Sequence, residues 1–488
     1  MTPANQKKQQ LTLLPKSPTG IPGMDEITGG GLPKGRPTLI AGSAGCGKTL
    51  FAMEFLVNGA IEFGEPGVFV AFEENAEELA QNVASLGFDL KELIRTKKLI
   101  IDYIRVDRAE IEETGDYDLE GLFIRLGYAI DSIGAKRVAL DTIEVLFAAL
   151  SNEGILRAEL QRLFRWLKDK GVSAVITAER GDGTMTRFGL EEYVADCVIL
   201  LDHRVTEQVS TRRLRIVKYR GSLHGTNEYP FLIGKNGISV LPITSLMLEH
   251  KVATGRISTG LKDLDAMLGG KGFHRGSSIL ITGAAGTGKS SLSSAFVDAA
   301  CKRGERCMYF AFEESTGQIL RNMKSIGINL APHIKNGLLR FHVARPTVYG
   351  LEMHLVTMYD MIREFKPQVV ILDPITDFFA VASPTEVKSA ITRIIDFLKT
   401  EQITALFTSY TSQDEHMDQS IVGVSSLIDA WISLRNIENN GERHRGLYIL
   451  KSRGMPHSNQ IRSFQLTNHG IRIGAMDLAG RRSGQEAS

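Results

Sequence analysis

Two short stretches of the chain have the residue types and the spacing of a phosphate-binding loop. Each contains Gly, four further residues, then Gly-Lys and a residue with a hydroxyl group. The glycines let backbone N–H groups turn towards phosphate oxygens, and a helix that starts at the lysine adds positive potential. The residues expected to bind a nucleotide are Gly42, Ser43, Ala44, Gly45, Cys46, Gly47, Lys48 and Thr49 in the first stretch and Gly283, Ala284, Ala285, Gly286, Thr287, Gly288, Lys289 and Ser290 in the second.

The lysine and the hydroxyl residue of each stretch would have separate roles. Lys48 and Lys289 would reach the outer phosphates of the nucleotide. Thr49 and Ser290 would each give a ligand to a magnesium ion. A glycine-rich turn without a ligand is the alternative for either stretch alone, but two matches in the same context favour nucleotide binding.

Each stretch lies between an apolar run and a helical pattern, which is the context that the motif needs. Residues 37–41 and 278–282 read as buried strands, and residues 50–56 read as a helix. Further along, β-branched runs alternate with helical patterns such as 156–168 and 387–399. Buried strands that alternate with helices predict an α/β fold with a mostly parallel sheet flanked by helices. Ligands of such sheets bind at the carboxyl ends of the strands.

The second half of the chain repeats the first. A Thr-Gly opening, the phosphate loop, a strand ending in two glutamates, a strand ending in an aspartate and a late Lys-x-Arg-Gly recur in the same order. A chain of 488 residues is also too long for a single core. The change from one copy to the next falls near 241–254, so the predicted domains are 1–246 and 247–488.

Paired carboxylates follow a strand in each half. They are Glu73 with Glu74 and Glu313 with Glu314. One member of each pair could polarise an attacking water or hydroxyl while the other shapes its basicity. The alternative is a solvated start to the next helix, where the helix dipole favours acidic residues. Recurrence in both halves favours catalysis, and the sequence leaves open which glutamate is the base.

Single aspartates follow another strand of each half. Asp141 and Asp373 both end an apolar run. A carboxylate held rigidly beside the phosphates is what the second magnesium ligand of a nucleotidase requires. A helix N-cap is the alternative role, because Asp is common there. The phosphate loop in the same domain favours the metal role.

Two basic residues alternate on a late strand of each half, so each pair points to one face. The pairs are Lys218 with Arg220 and Lys451 with Arg453. In ring ATPases a cation from the neighbouring subunit stabilises phosphate charge in the transition state. An exposed face of an edge strand is the alternative, and it would be preferred if the pattern occurred once.

Composition and charge narrow the class of protein. The net charge is +1, so no global field favours nucleic acid or an anionic membrane. The cysteines (Cys46, Cys197, Cys301 and Cys307) show no metal-ligand or redox spacing, which fits a reducing compartment. The polar start of the chain is unlike a signal peptide, and no apolar run is long enough for a transmembrane helix. We therefore expect a cytoplasmic protein with no membrane association.

These motifs together resemble the KaiC family of hexameric ATPases and autokinases of the bacterial clock system. The resemblance rests on two phosphate-loop domains, each with Phe-Glu-Glu and a late Lys-x-Arg-Gly, and on segments 65–70, 188–192, 225–230 and 313–315. It covers nearly the whole chain and implies tandem RecA-like P-loop domains. It also implies a homohexamer with ATP and magnesium at the subunit interfaces, where Lys218, Arg220, Lys451 and Arg453 act on the neighbouring subunit's nucleotide.

The resemblance further implies an autokinase site in the second domain. The aligned hydroxyl residues are Ser425 and Ser426, a Ser-Ser pair that is typical of one subclass of the family. Glu313 is the implied base for attack by these hydroxyls. From the residues alone, Ser-Ser before an apolar run would be a helix cap or a turn. The expected activities are ATP hydrolysis and serine autophosphorylation in clock-like or stress signalling.

Partners can also be inferred from the resemblance. The acidic segment 109–117 lies where the family docks a KaiB-like partner, although acidic loops are usually only solvated. The end of the chain from Gly474 is short and polar, so we expect no dependence on a KaiA-like partner. A DNA-dependent ATPase of the recombinase or helicase class is the competing interpretation, because it shares the core fold. The neutral charge disfavours it, and acidic Glu179 and Asp182 interrupt the basic Arg180 and Arg187.

Overall fold

A computed structural model describes residues 13–105, 119–147, 153–181, 186, 194–206, 209–242, 253–411, 426–439 and 442–476. Contacts divide the chain into two compact units, Met1–Ser245 and Leu246–Ser488. In its described residues each unit is built around one large sheet with helices packed on it. The predicted fold class, tandem α/β domains of the RecA-like type, is confirmed.

The sheet of the first unit has the strand order β11-β10-β9-β8-β3-β7-β6-β4-β5. The run from β8 to β5 is parallel, and β9, β10 and β11 continue it as antiparallel neighbours. A separate pair is formed by β1 and β2. The strands are β1 (Lys16–Ser17), β2 (Leu32–Pro33), β3 (Pro37–Gly42), β4 (Gly67–Ala71), β5 (Leu99–Tyr103), β6 (Arg137–Asp141), β7 (Ser173–Glu179), β8 (Cys197–Thr206), β9 (Val209–Tyr219), β10 (Glu228–Gly234) and β11 (Gly237–Val240).

Helices cover both faces of this sheet, so its central strands are apolar along their whole length. Ile40 of β3 packs in the cluster that contains Phe51 and Phe55, whereas the adjacent Leu39 packs with Leu160 on the opposite face. The predicted helix 156–168 lies within the seventh helix. The helices are α1 (Met24–Thr28), α2 (Lys48–Glu62), α3 (Ala76–Ala84), α4 (Leu90–Arg95), α5 (Glu120–Ile133), α6 (Glu144–Phe147) and α7 (Glu153–Asp169).

The second unit repeats this plan with the strand order β16-β15-β17-β18-β14-β19-β20-β21-β22. Here β16 to β19 are parallel, and β20, β21 and β22 extend the sheet as antiparallel strands. The strands are β12 (Arg256–Ile257), β13 (Phe273–His274), β14 (Ser278–Gly283), β15 (Cys307–Ala311), β16 (Leu339–Val343), β17 (Val369–Asp373), β18 (Thr404–Tyr410), β19 (Ala430–Asn439), β20 (Glu442–Ser452), β21 (Arg462–Thr467) and β22 (Gly470–Ala475).

The helices of the second unit occupy the same places in the repeat. They are α8 (Lys262–Met267), α9 (Lys289–Lys302), α10 (Thr316–Ser325), α11 (Ala331–Lys335), α12 (Leu351–Phe365) and α13 (Pro384–Thr400), with short 3-10 helices at Pro346–Val348 and Ile375–Ala380. The predicted helix 387–399 lies within α13, which begins with a capping box between Ser383 and Glu386. The order strand, loop, helix at β14 and α9 matches that at β3 and α2.

One carboxyl group is buried in the helix that follows the first phosphate loop. Glu54 of α2 is 2% exposed and accepts a hydrogen bond from the Ile238 backbone N at 2.8 Å, which ties α2 to β11. Burial raises the pKa of Glu54 from 4.5 to about 8, against the opposing effect of that hydrogen bond. Between pH 4.5 and about pH 8, Glu54 is therefore protonated in the folded chain and ionised in the unfolded chain.

This shift predicts a pH-dependent stability of the first unit. Because the folded pKa lies above the unfolded one, the free energy of unfolding falls as pH rises from 4.5 towards about 8. Residue 54 cannot ionise in the Glu54→Gln variant. The decrease in its free energy of unfolding over this interval should therefore be about 1–4 kcal/mol smaller than that of the wild type. Denaturant unfolding from about pH 5 to about pH 8, with hydrogen exchange at α2 reporting the first unit, measures the difference. The exposed Glu77→Gln is the control, and equal slopes for wild type and Glu54→Gln would refute the prediction.

Candidate nucleotide-binding and catalytic sites

The first phosphate loop connects β3 to α2. Gly47 has φ of 107°, a left-handed conformation that glycine adopts without strain and that turns the chain into α2. Lys48 is 7% exposed, and its Nζ donates to the backbone oxygens of Gly42 and Ser43 at 3.0 Å each. The lysine is therefore folded back over its own loop, where its ammonium lies beside the space that the loop encloses.

The second loop has the same geometry. Gly288 has φ of 100°, and Lys289 Nζ donates to Gly283 O at 2.8 Å and to Ala284 O at 3.0 Å. Burial lowers the pKa of Lys289 to about 8, although the carboxylates of Asp373 and Glu313 oppose the shift. Loops of this form bind phosphate through backbone N–H groups and one lysine, so both loops are built for the same ligand.

Asp141 ends β6 beside the first loop. It is 9% exposed, accepts a hydrogen bond from the Thr177 hydroxyl and is also hydrogen-bonded to Thr49. Burial raises the pKa of Asp141, while these two hydroxyls and the Lys48 ammonium favour its ionised form. The structure thus brings together the two residues that the sequence assigns to magnesium in the first unit.

Asp373 ends β17 at the equivalent place in the second unit. Its Oδ2 accepts from the Tyr309 hydroxyl at 2.5 Å, and its Oδ1 accepts from Thr408. Burial and the nearby Asp373 raise the pKa of the Tyr309 hydroxyl, so it remains a donor. The position equivalent to Tyr309 on β4 is Phe69, so the two aspartates are held by different sets of donors.

The two glutamates of each pair turn to different neighbours. Glu74 accepts from Asn82 Nδ2 of α3 at 3.2 Å, and Glu314 accepts from Asn322 Nδ2 of α10 at 3.4 Å. Glu73 instead accepts from the Thr142 hydroxyl at 3.4 Å, directly after Asp141. In the first unit Glu73 therefore contacts the residue that follows the aspartate, and in both units the second glutamate contacts the helix that follows.

Glu313 has a shorter contact than its counterpart. The Tyr410 hydroxyl donates to Glu313 Oε2 at 2.6 Å. Glu313 and Tyr410 line a cavity of about 330 Å³ together with Lys289, Ser290 and Asp373. The residues that the sequence assigns to phosphate, magnesium and base thus meet in one cavity of the second unit.

The late cations lie away from the phosphate loop of their own unit. Lys218 pairs with Val198, which pairs with Leu39, three residues before Gly42. Arg220 is further away still, because its backbone N donates to the oxygen of Asp196, which precedes β8. Lys218 is displaced from Gly42 by three residues along the strand direction and by two strand spacings, from β9 through β8 to β3. These displacements correspond to about 14 Å between the Cα atoms of Lys218 and Gly42.

The second unit shows the same separation. Lys451 pairs with Trp431, which pairs with Leu280, three residues before Gly283. Arg453 Nη2 donates to the backbone oxygen of Ser426, so one of the two predicted phosphorylation sites lies beside a predicted trans cation. Burial and the neighbouring Arg453 lower the pKa of Lys451. The structure therefore places Ser426 beside Arg453 and not beside its own phosphate loop.

Some predictions fall outside the described residues. These are Ser425, the acidic segment 109–117, Asp182, Arg187 and the end of the chain from residue 477. Arg180 is described, and its Nη1 lies 3.6 Å from Asp202 Oδ1 in an ion pair that partly neutralises it. Among the described residues no helix is both long enough and apolar enough to cross a bilayer.

Several residues of these sites were not found from the sequence. Thr177 and Thr408 hold the two aspartates, and they recur at equivalent positions of β7 and β18. Their recurrence in the repeat is the signal that could have identified them. Tyr410 had no such signal, because the equivalent residue of β7 is Glu179.

The fold and the two sites define a tandem P-loop ATPase. The KaiC ATPase family matches residues 17–245 and 257–477. The circadian clock protein KaiC2 of Synechocystis sp. is 59% identical over 95% of this chain and 82% of its own length. The circadian clock oscillator protein KaiC of Parathermosynechococcus lividus is 39% identical over 97% of this chain and 88% of its own length, and KaiC3 of Synechocystis sp. is 38% identical over 96% and 93%. The chain belongs to the KaiC ATPase family and binds ATP, which confirms the resemblance seen in the sequence.

Proposed function

We propose that this protein is a hexameric ATPase that also phosphorylates its own second domain, and that it acts in clock-like or stress signalling. The observation that carries the proposal is the separation, in each unit, of the phosphate loop from the late lysine by about 14 Å between Cα atoms. The proposed domains are 1–246 for hydrolysis and 247–488 for autophosphorylation. The relatives are named as circadian clock proteins, which supports the signalling role.

The separation favours catalysis between subunits. A lysine or arginine side chain reaches about 6–7 Å from its Cα, less than the roughly 14 Å that separates Lys218 from its own loop. If the late cations stabilise phosphate charge, they do so in the site of another copy. A closed ring supplies that geometry, because each copy presents its loop to one neighbour and its cations to the other. Lys218, Arg220, Lys451 and Arg453 are therefore proposed to act in trans.

Ser426, the acceptor serine that the structure describes, is also remote from the phosphate loop of its own unit. Ser426 lies beside Arg453, at the end of the sheet remote from its own Lys289. A phosphoryl group bound at the second loop of one copy would be transferred to Ser425 or Ser426 of the next copy, beside Arg453 of that copy. Autophosphorylation is thus proposed to run between subunits.

Within each site the chain's own groups have distinct roles. Glu313 would take the proton of the attacking serine hydroxyl, and Glu73 would do the same for water in the first unit. Glu74 and Glu314 would support them through the helices that follow. The oxygen donors Thr49 with Asp141 and Ser290 with Asp373 suit Mg²⁺, which would screen the phosphate charge. A KaiB-like partner is proposed at 109–117.

Labelled ATP tests the kinase assignment. The full chain is incubated with γ-labelled ATP, and the phosphorylated residues are mapped by mass spectrometry. We expect label on Ser425 and Ser426 and loss of nearly all of it in the Ser425→Ala/Ser426→Ala variant, while phosphate release by the first unit continues. Undiminished label in the double variant would show that the acceptor lies elsewhere. Size measurement by light scattering with ATP present tests the hexamer.

A further inference from the structure

The second site contains a hydrogen bond that the first site cannot form. Tyr410 is the last residue of β18, and it pairs with Gly283 at the start of the phosphate loop. The residue that pairs with Gly42 in the first unit is Glu179. The next residue supports this equivalence in each unit. Thr411 N donates to Gly283 O, and Arg180 N donates to Gly42 O. Tyr410 and Glu179 therefore occupy equivalent positions that border the two sites.

Tyr410 contacts two groups of the site. Its hydroxyl donates to Glu313 Oε2 at 2.6 Å, and Lys289 Nζ lies 3.9 Å from the centre of its ring. Its backbone N donates to the Thr376 hydroxyl at 3.4 Å, which fixes the strand end against the segment after Asp373. A phenol that donates to a carboxylate makes a stronger hydrogen bond than a neutral pair does.

The first site leaves its glutamate less restrained. Glu73 accepts from Thr142 at 3.4 Å, close to the limit for a hydrogen bond. The residue equivalent to Tyr410 there is acidic and has no proton to donate to a carboxylate when ionised. Its backbone N donates instead to Glu144, a buried residue of α6. The two glutamates therefore have the same place in the repeat but different hydrogen-bond partners.

We propose that Tyr410 is a positioning residue of the second site, which holds Glu313 by one carboxylate oxygen so that the other oxygen receives the proton of an attacking serine. The inference rests on the proposed role of Glu313. Water can approach a loosely held carboxylate from many directions, but a serine of another chain arrives along one path. A fixed base therefore favours the serine acceptor, whereas Glu73 in the first site suffices for water.

The Tyr410→Phe variant isolates the hydroxyl, because phenylalanine keeps the ring against Lys289. Loss of a hydrogen bond to a charged group should lower the turnover number for serine phosphorylation about 10–100-fold. The KM for ATP in this reaction should stay within about twofold, since the phosphate loop and the ring are retained. The control is Tyr359→Phe, whose hydroxyl donates to the Arg393 backbone oxygen away from the site.

A double-mutant cycle with Glu313→Gln separates this inference from the proposed function. If Tyr410 acts through Glu313, Tyr410→Phe should have little further effect in the Glu313→Gln background. Additive losses, a wild-type turnover in Tyr410→Phe, or a change confined to KM would each overturn the inference while the proposed function stands. Normal phosphorylation in Glu313→Gln would instead refute the proposed base. Hydrogen exchange at α9 reports that the second unit of every variant is folded.

Discussion

The Glu313→Gln substitution is expected to lower the rate of serine phosphorylation by about 10²–10⁴-fold, the usual contribution of a general base. Glutamine has nearly the same shape, so the Tyr410 hydroxyl can still donate to its amide oxygen, but it cannot accept a proton from an attacking hydroxyl. Binding of ATP should be retained, because Lys289 and the loop are unchanged. Single-turnover phosphorylation with labelled ATP measures the rate, and equilibrium binding of a fluorescent ATP analogue measures the affinity.

The adjacent glutamate provides the matched comparison. Glu314 also lines the cavity that contains Asp373, but its carboxylate is held by Asn322 of α10 and not by Tyr410, so Glu314→Gln should have a much smaller effect than Glu313→Gln. Both substitutions remove one negative charge at neighbouring positions, so a general change in the field of the site would affect them alike. A larger loss in Glu314→Gln would reverse the assignment of the base. Equal losses would mean that neither carboxylate has a separate role.

The phosphate loops could be predicted from the sequence because their chemistry is local. The glycines, the lysine and the hydroxyl residue lie within eight positions, and the apolar runs before them can only be buried strands. Asp141 and Asp373 were found for a related reason. Each ends an apolar strand, and the carboxyl ends of parallel strands meet at one edge of the sheet. Because the same motifs occur in both halves of the chain, each match is supported by a second one.

The roles within each glutamate pair could not be predicted in this way. The contact that distinguishes Glu73 from Glu74 is made by Thr142, which is 69 positions away in the sequence and meets Glu73 only in the fold. Tyr410 was missed because its importance depends on strand register, which places it level with Gly283. Buried Glu54 was also invisible, since a glutamate in a helix usually faces water.

The late cations show what a sequence pattern leaves undetermined. Alternation on one strand indicated that Lys218 and Arg220 share a face, but it gave no position relative to the phosphate loop. That position follows from β8 lying between β3 and β9 and from the antiparallel turn into β9. These pairings set the cations about 14 Å from the loop of their own unit. The geometry turns a family resemblance into a testable claim about which copy of the chain supplies each group.

Mixing two inactive variants should restore phosphorylation if the groups act between subunits. Lys289→Ala removes the phosphate lysine of the second loop, and Arg453→Ala removes the proposed trans cation, whose equivalent in other ATPases contributes about 10³–10⁵ to turnover. Each variant alone should be close to inactive in serine phosphorylation. Co-expressed in equal amounts, they should form rings in which about one quarter of the interfaces combine an intact lysine with an intact arginine.

The label in such a mixture should be confined to one of the two chains. Because Arg453 contacts Ser426 in the same chain, an active interface has its acceptor serines on the copy that keeps Arg453, which is the Lys289→Ala chain. Different affinity tags let the two chains be separated in denaturant and counted. The chain that lacks a working phosphate loop should therefore carry the phosphate. Label on the Arg453→Ala chain would show that the second site is completed within one subunit. The control is a mixture of Lys289→Ala with the Lys289→Ala/Arg453→Ala double variant, which contains no intact second loop. A yield of label no higher than in this control would lead to the same conclusion.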